Sequence, residues 1–245
     1  TPKDPASKVF QRQNKITYET LKHIPLLKIL VVGFRSLRTK PGVFRRVKLF
    51  FVFLAGYSAY RTLQKNTSFT LSTRDLYPRI LDKTFGPPID PIYFYQDTWC
   101  AKKIFESKPA RHVDVGSEAE FIGIVSQFVP VTMVDIRPLP VSLPSLTFQK
   151  GDITNLPFAE NSIASLSSIC VIEHIGLGRY GDPLDPFGSE KAIRELKRVL
   201  AIGGNLYISV PIDSESKVYF NAHRAFSRAF VLELFAPLTL IEERY

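Results

Sequence analysis

Arg111-His112-Val113-Asp114-Val115-Gly116-Ser117 is the stretch from which the fold is read. Its apolar, β-branched residues make a short strand, and Gly116 closes the strand with a turn. Phe121, Ile122, Val125 and Phe128 then recur at helical spacing between Glu118 and Phe128. A second apolar run, Val131 to Ile136, carries Asp135 near its end, 21 residues after Asp114. In doubly wound sheets a carboxylate at about 20 residues' separation accepts hydrogen bonds from ribose hydroxyls. Leu146 to Gln149 reads as a third strand, and Asp152 follows it across Gly151, on the rim where open α/β sheets bind ligands. Ser165 to Val171 reads as a fourth strand. Ser189 to Leu200 reads as an amphipathic helix, with Ile193, Leu196, Val199 and Leu200 inward and Lys191, Arg194 and Lys197 outward. Gly203-Gly204 is expected to stop that helix in the left-handed region, and Asn205 to Val210 to form a fifth strand. This alternation defines an α/β class: a Rossmann-like, doubly wound, mostly parallel sheet over residues 110–245.

Several of these segments together resemble the successive motifs of class I S-adenosylmethionine-dependent methyltransferases. They are Val113-Asp114-Val115-Gly116-Ser117, Val134-Asp135, Gly151-Asp152-Ile153-Thr154-Asn155-Leu156-Pro157-Phe158, Val171-Ile172-Glu173-His174-Ile175, and Glu195 to Leu200 with Gly203-Gly204. The resemblance implies S-adenosylmethionine as cofactor, held by Asp114, Gly116, Ser117, Asp135, Ile136, Asp152 and Ile153. Gly178-Arg179-Tyr180-Gly181-Asp182-Pro183 and Phe220-Asn221-Ala222-His223-Arg224 resemble an uncharacterised branch, a domain of unknown function, which implies no chemistry.

The departures have physical content. Such methyltransferases follow the first strand with three glycines at alternate positions, so that bare backbone can lie against the cofactor's methionine part. Here Gly116 is kept, while Glu118 and Glu120 stand at the other two positions. Their carboxylates would repel a ligand carboxylate unless they turn outward or meet the ammonium or sulfonium charge. The aspartate that commonly opens the fourth strand is replaced by Ala164.

Chemistry is expected after the fourth strand, where Glu173 and His174 are the candidate catalytic pair. His174 would serve as general base, its unperturbed pKa lying near 6.5. Gly176 to Gly188 is a long loop carrying Arg179, Tyr180 and Asp182, and Asn221, His223 and Arg224 follow the fifth strand; both segments are candidates for substrate binding. The arginines suggest an anionic acceptor such as a phosphorylated or carboxylated sugar. Tyr95, before the first strand, is a further candidate pocket residue. No paired Cys or His spacing supports a metal site.

The charge is distributed unevenly. Residues 1–65 hold 14 Lys and Arg against Asp4 and Glu19, a balance of +12 that leaves −3 for residues 66–245 of the net +9. Residues 1–65 read as a basic, apolar helical extension, a lid or a surface contact, and residues 66–109 as a linker with a pre-sheet helix. Within that linker Gly86-Pro87-Pro88 and Asp90-Pro91 are expected to break regular structure. Ile24 to Leu37 and Val43 to Leu63 are rich in large apolar residues beside Arg45, Arg46 and Lys48, so residues 24–63 are a candidate contact with anionic lipid. The apolar core there is shorter than the roughly 20 residues a span requires. Cys100 and Cys170 read as free thiols of a reducing compartment. With no signal sequence evident, the expectation is a cytoplasmic protein, peripheral on the inner membrane face. No nucleic-acid motif is present. Phe226 to Phe235 reads as a helix and Thr239 to Tyr245 as a sixth strand; the missing seventh would leave an edge that a second copy could fill as a homodimer.

Three functions are compatible with these residues. They are a methyltransferase acting on a glycan or lipid-linked precursor, a scaffold that has kept the fold and lost the cofactor, and a sugar-nucleotide-using transferase.

Overall fold

The computed structural model describes residues 42–64, 69–82, 87 and 89–245. The expected helix over Ile24 to Leu37 lies outside the described residues. The chain forms two compact units, Thr1–Pro88 and Ile89–Tyr245. In the first unit, helix α1 (Val43–Leu63) has three cations, Arg45, Arg46 and Lys48, in its first two turns, then apolar residues on all sides from Leu49 to Ala55. Three of its cations thus gather at the amino end, a fourth, Arg61, lies in the last turn, and they form no continuous stripe between. Among the described residues no side chain of α1 is buried, and no helix is long and apolar enough to cross a membrane.

The second unit opens with α2 (Pro91–Ser107). Asp90-Pro91, expected to break structure, instead starts this helix: the Asp90 carboxylate accepts from Ile92 N at 2.9 Å, and Pro91 sits at the first position, where its missing N–H costs nothing. The sheet comprises β1 (His112–Val115), β2 (Val131–Asp135), β3 (Leu146–Lys150), β4 (Ile163–Ile169) and β5 (Leu200–Ser209), all parallel, in the order β3-β2-β1-β4-β5. Helices α3 (Ala119–Val125) and α4 (Gly188–Val199) are the crossovers out of β1 and into β5. Each of β1's four residues is buried, as both-face coverage demands.

Two apolar clusters, one per face, make the core. Val113, Val115, Val134 and Leu166 join Ile193, Leu196 and Val199 of α4 and Phe235 on one face; Val131, Met133 and Ile169 join Cys100 and Ile104 of α2 and Phe121, Ile122 and Val125 of α3 on the other. On the α2 face the strands also carry a buried polar chain. His112 meets Ser165 Oγ through Nδ1 at 2.8 Å and Ser167 Oγ through Nε2 at 2.9 Å; Ser167 donates to the Asp114 carboxylate, to which Ser117 Oγ also donates at 2.6 Å. Because the Ser167 hydrogen is spent on Asp114, Nε2 of His112 must be the donor. Burial favours the neutral imidazole, lowering the His112 pKa to about 4, and raises that of Asp114 to about 6.

Two expectations are corrected here. Gly203-Gly204 does not end α4: Leu200 already has extended dihedrals, and Gly203, at φ +76°, lies within β5 where the register against β4 shifts. Thr239 to Tyr245 forms no strand; its acidic side chains reach other elements, Glu242 to Lys103 at 2.6 Å and Glu243 to Arg228 at 2.7 Å, with no ladder of backbone pairs. A short antiparallel hairpin, β6 (Lys217–Tyr219) with β7 (His223–Ala225), precedes α5 (Arg228–Phe235) and was not anticipated.

Candidate functional site

Parallel register brings the carboxyl ends of β1, β2 and β3 level. Gly116 N donates to Val134 O at 2.9 Å and Gly151 N to Asp135 O at 3.1 Å, so the turn after β1, Asp135 and Asp152 share one rim. A cleft of about 720 Å³ opens above it. That volume lies in the range of small-molecule sites, about 300–1,000 Å³. Gly116 has φ +77°, and a Cβ there would sit 2.9 Å from Val171 Cγ1, so the turn admits only glycine. Ser117 is fixed from below: its amide and hydroxyl both donate to Asp114, and its oxygen accepts from Ile169 N at 2.9 Å.

Of the seven residues implied for the cofactor, Gly116, Ser117, Asp135, Ile136, Asp152 and Ile153 line the cleft. Asp114 does not; fully buried, it holds the turn from beneath. Asp152 Oδ1 accepts from Thr154 N and Oγ1, both at 2.8 Å, which fixes one carboxylate oxygen. Glu118 does line the cleft, its carboxyl pKa raised by burial and by the nearby Glu120 and Asp90, whereas Glu120 lies outside it.

His174 lines the cleft from the 3-10 turn Ile172–His174 that follows β4. Its Nδ1 lies 2.7 Å from Ala222 O, which makes Nδ1 the donor and leaves Nε2 with a lone pair. Burial is the main cause of a lowered pKa, with Arg179 and His223 adding to it, so the ring is neutral at pH 7. Glu173 Oε1 stands 3.8 Å from Nε2; the Glu173 carboxyl is 2% exposed, burial lifts its pKa to about 7, and Oε2 has no partner among the described residues.

The remaining substrate candidates separate. Tyr180 and Asp182 line the cleft, and Tyr180 meets the His174 ring edge-on at 5.5 Å. Asp182 also ties its own loop, accepting from Gly176 N at 2.6 Å. Arg179 is outside the lining and donates to Ala222 O at 2.9 Å. Asn221 and His223 lie in the hairpin and outside the cleft lining; the hairpin's hydrogen bond to His174 comes from the carbonyl of Ala222. Arg224 is corrected from a substrate contact to a buried clamp: its guanidinium donates to Ile175 O at 2.5 Å, Asp185 O at 3.0 Å and Pro186 O at 3.3 Å, pinning the 176–188 loop. Tyr95 is 71% exposed and outside the cleft; its neighbour Tyr93 lines it, with a hydroxyl pKa raised by burial to about 12.

Two residues were not recognised in the sequence as belonging to the cleft. Cys170, at φ +53°, turns its thiol toward Gln96 Oε1 at 3.2 Å and lines the cleft. Arg137 sits two residues beyond Asp135 and closes on it, a spacing that was open to notice. Among the described residues no cluster of His, Cys, Asp and Glu is arranged to hold a metal ion.

The strand order, with a cleft at the carboxyl ends of the strands, defines the class: a Rossmann-like, doubly wound parallel-sheet domain. A family described as Caenorhabditis protein of unknown function, DUF268, matches residues 154–242. No curated protein matches the chain. Solved structures similar to it include 1,6-didemethyltoxoflavin-N1-methyltransferase of Burkholderia thailandensis, with bound 1,6-didemethyltoxoflavin and S-adenosylhomocysteine, at 17% identity over 59% of this chain and 68% of that one, TM-score 0.42. The YcgJ protein of Bacillus subtilis is similar at 18% identity over 57% and 67%, TM-score 0.42. A SAM-dependent methyltransferase of Aquifex aeolicus is similar at 16% identity over 59% and 80%, TM-score 0.38. These are distant likenesses, and the fold is carried by the strand order and register.

Proposed function

We propose that the cleft binds S-adenosylmethionine and that the chain transfers its methyl group to an acceptor deprotonated by His174. The observation that carries this reading is the meeting of Gly116, Asp135, Asp152 and His174 around one cleft. Asp135 would take the ribose hydroxyls, Ile136 and Ile153 would flank the adenine, and the left-handed turn at Gly116 would give the methionine part access to backbone. When bound, the cofactor supplies an electrophilic methyl on a sulfonium. Glu118, at the mouth of that turn, suits the ammonium and sulfonium charges and disfavours an additional anion there. Nε2 of His174 would accept the acceptor's proton, and Glu173 beside it would stabilise the imidazolium that results.

The acceptor we propose is a hydroxyl of a glycan or lipid-linked precursor, with α1 resting on an anionic lipid surface on the cytoplasmic face. Support for the membrane part is α1 itself, whose Phe44, Phe51 and Val52 are exposed beside Arg45, Arg46 and Lys48. Flotation with anionic liposomes, lost when residues 1–64 are removed, tests it; equal flotation removes it. For the cofactor, calorimetric titration with S-adenosylhomocysteine should show micromolar binding that is lost in Asp135→Ala. Silence at millimolar ligand would favour a scaffold that has kept the fold without the cofactor, the reading that Glu118 and the occupied Asp135 support.

A further inference from the structure

Asp135, the carboxylate assigned to the ribose, is already engaged. Arg137 donates to Oδ1 from its backbone N at 2.7 Å and from Nε at 3.3 Å, and to Oδ2 from Nη2 at 3.2 Å. The backbone bond is an Asx turn, local to the strand end and compatible with a ligand. The two side-chain bonds add to it: they lay a guanidinium on a carboxylate that lines the cleft, and Arg137 itself lines that cleft. The cover is close enough that the Asp135 side chain is 9% exposed while that of Arg137 is 55% exposed.

Counting acceptor sites shows the conflict. A carboxylate offers about four lone-pair positions. Arg137 occupies three, and a vicinal diol held bidentately needs two. The diol and the full Arg137 contact cannot both be accommodated, so the nucleoside must displace at least one guanidinium bond. The guanidinium is also held from its other side, with Cζ 4.8 Å from the centroid of the Tyr180 ring, which is itself flanked by Arg179 at 5.0 Å. Arg137 thus links the loop after β2 to the 176–188 loop across the cleft. Pro138 and Pro140 follow it, so a change of state falls on the side-chain torsions and less on the backbone.

We infer that Arg137 is a latch: it covers the Asp135 carboxylate by pairing with it and stacking on Tyr180, and a nucleoside must displace it from that carboxylate to bind. This rests on the proposed reading of the cleft as an adenosyl site. Once released from Asp135, the guanidinium remains beside Tyr180 and the catalytic rim, so opening the ribose site also frees a cation there. The apparent affinity is reduced by the fraction of molecules that are latched.

The test is titration of the full chain with S-adenosylhomocysteine and with adenosine, which carries no charge, at low and high sodium chloride, for the wild type, Arg137→Ala and Arg137→Lys. Arg137 is on the surface, and a thermal melt checks that the variants are folded. The latch predicts that Arg137→Ala binds both ligands about fivefold more tightly than wild type, with Arg137→Lys between them. It also predicts that wild-type affinity for uncharged adenosine rises with salt, as screening weakens the closed pair, and that this dependence vanishes in Arg137→Ala. Equal affinities with the same salt profile overturn the latch and leave the adenosyl site standing. Weaker binding by Arg137→Ala also overturns it, making Arg137 a ligand contact. No binding to the wild type or either variant at millimolar ligand overturns the adenosyl site, and the latch with it.

Discussion

Replacing His112 by Asn should convert a pH-dependent part of the stability into a measurable slope. In the folded chain His112 is fully buried between two serine hydroxyls and neutral, with a pKa lowered by burial from 6.5 to about 4. In the unfolded chain it titrates near its ordinary value. Between pH 4 and 6.5 the unfolded state therefore binds a proton that the folded state does not, and stability rises with pH. Below about pH 4 both states are protonated, and above about 6.5 neither is, so the effect is confined to that window. At 1.36 kcal/mol per pH unit the window corresponds to about 3 kcal/mol. Asp114, raised by burial to about 6, works in the opposite sense: its contribution is full below the ordinary 3.8 and is lost as pH rises through 6. In the wild type the two slopes largely cancel. Asn retains one donor and one acceptor for Ser167 and Ser165 but cannot titrate. Urea unfolding at half-unit steps from pH 4 to 7.5, followed by the single tryptophan, Trp99, gives the stability of each protein. The wild-type advantage over His112→Asn should grow by about 3 kcal/mol across the window and be level above it. A difference that is constant across the range would show that His112 is not buried in its neutral form.

Three further outcomes follow from the site. Gly116→Ala places a Cβ 2.9 Å from Val171 Cγ1 at φ +77° and should abolish S-adenosylhomocysteine binding while costing about 1–3 kcal/mol of stability, read by calorimetry and by thermal melting. Arg224→Ala removes the clamp on Ile175, Asp185 and Pro186 carbonyls; about 2–4 kcal/mol should be lost, and limited proteolysis should cut within residues 176–188. His174→Ala should leave cofactor affinity within twofold and remove methyl transfer once an acceptor is found. Because burial lowers the His174 pKa, wild-type transfer should be full at neutral pH and fall only as pH drops below about 6.5, when Nε2 takes up a proton.

The sheet was legible because its residues obey two local rules at once: β-branched runs closed by Gly116 or Gly151, and carboxylates at the ends of β1 and β2. The rim residues Asp135 and Asp152 followed from those ends with no knowledge of register. Where local signals have two meanings the reading slipped. Asp90-Pro91 is a turn signal and equally a helix start; Gly203 is a helix stop and equally a strand bulge. The phase of α2 decides which tyrosine enters the cleft, and the spacing of Tyr93, Gln96, Cys100 and Ile104 on one face excludes Tyr95 from it. Arg224 was legible only as a cation, because whether an arginine meets a ligand or backbone carbonyls depends on the path of a loop some 40 residues away in sequence. The hairpin's contribution, the carbonyl of Ala222 on His174, leaves no side-chain trace at all.

A crystal structure of the full chain grown with millimolar S-adenosylhomocysteine tests the central claim most directly. The account predicts the ribose hydroxyls on Asp135, the adenine beside Ile136 and Ile153, and Arg137 withdrawn from the carboxylate. Arg137 still paired with Asp135, with the ligand absent or bound elsewhere, would contradict it.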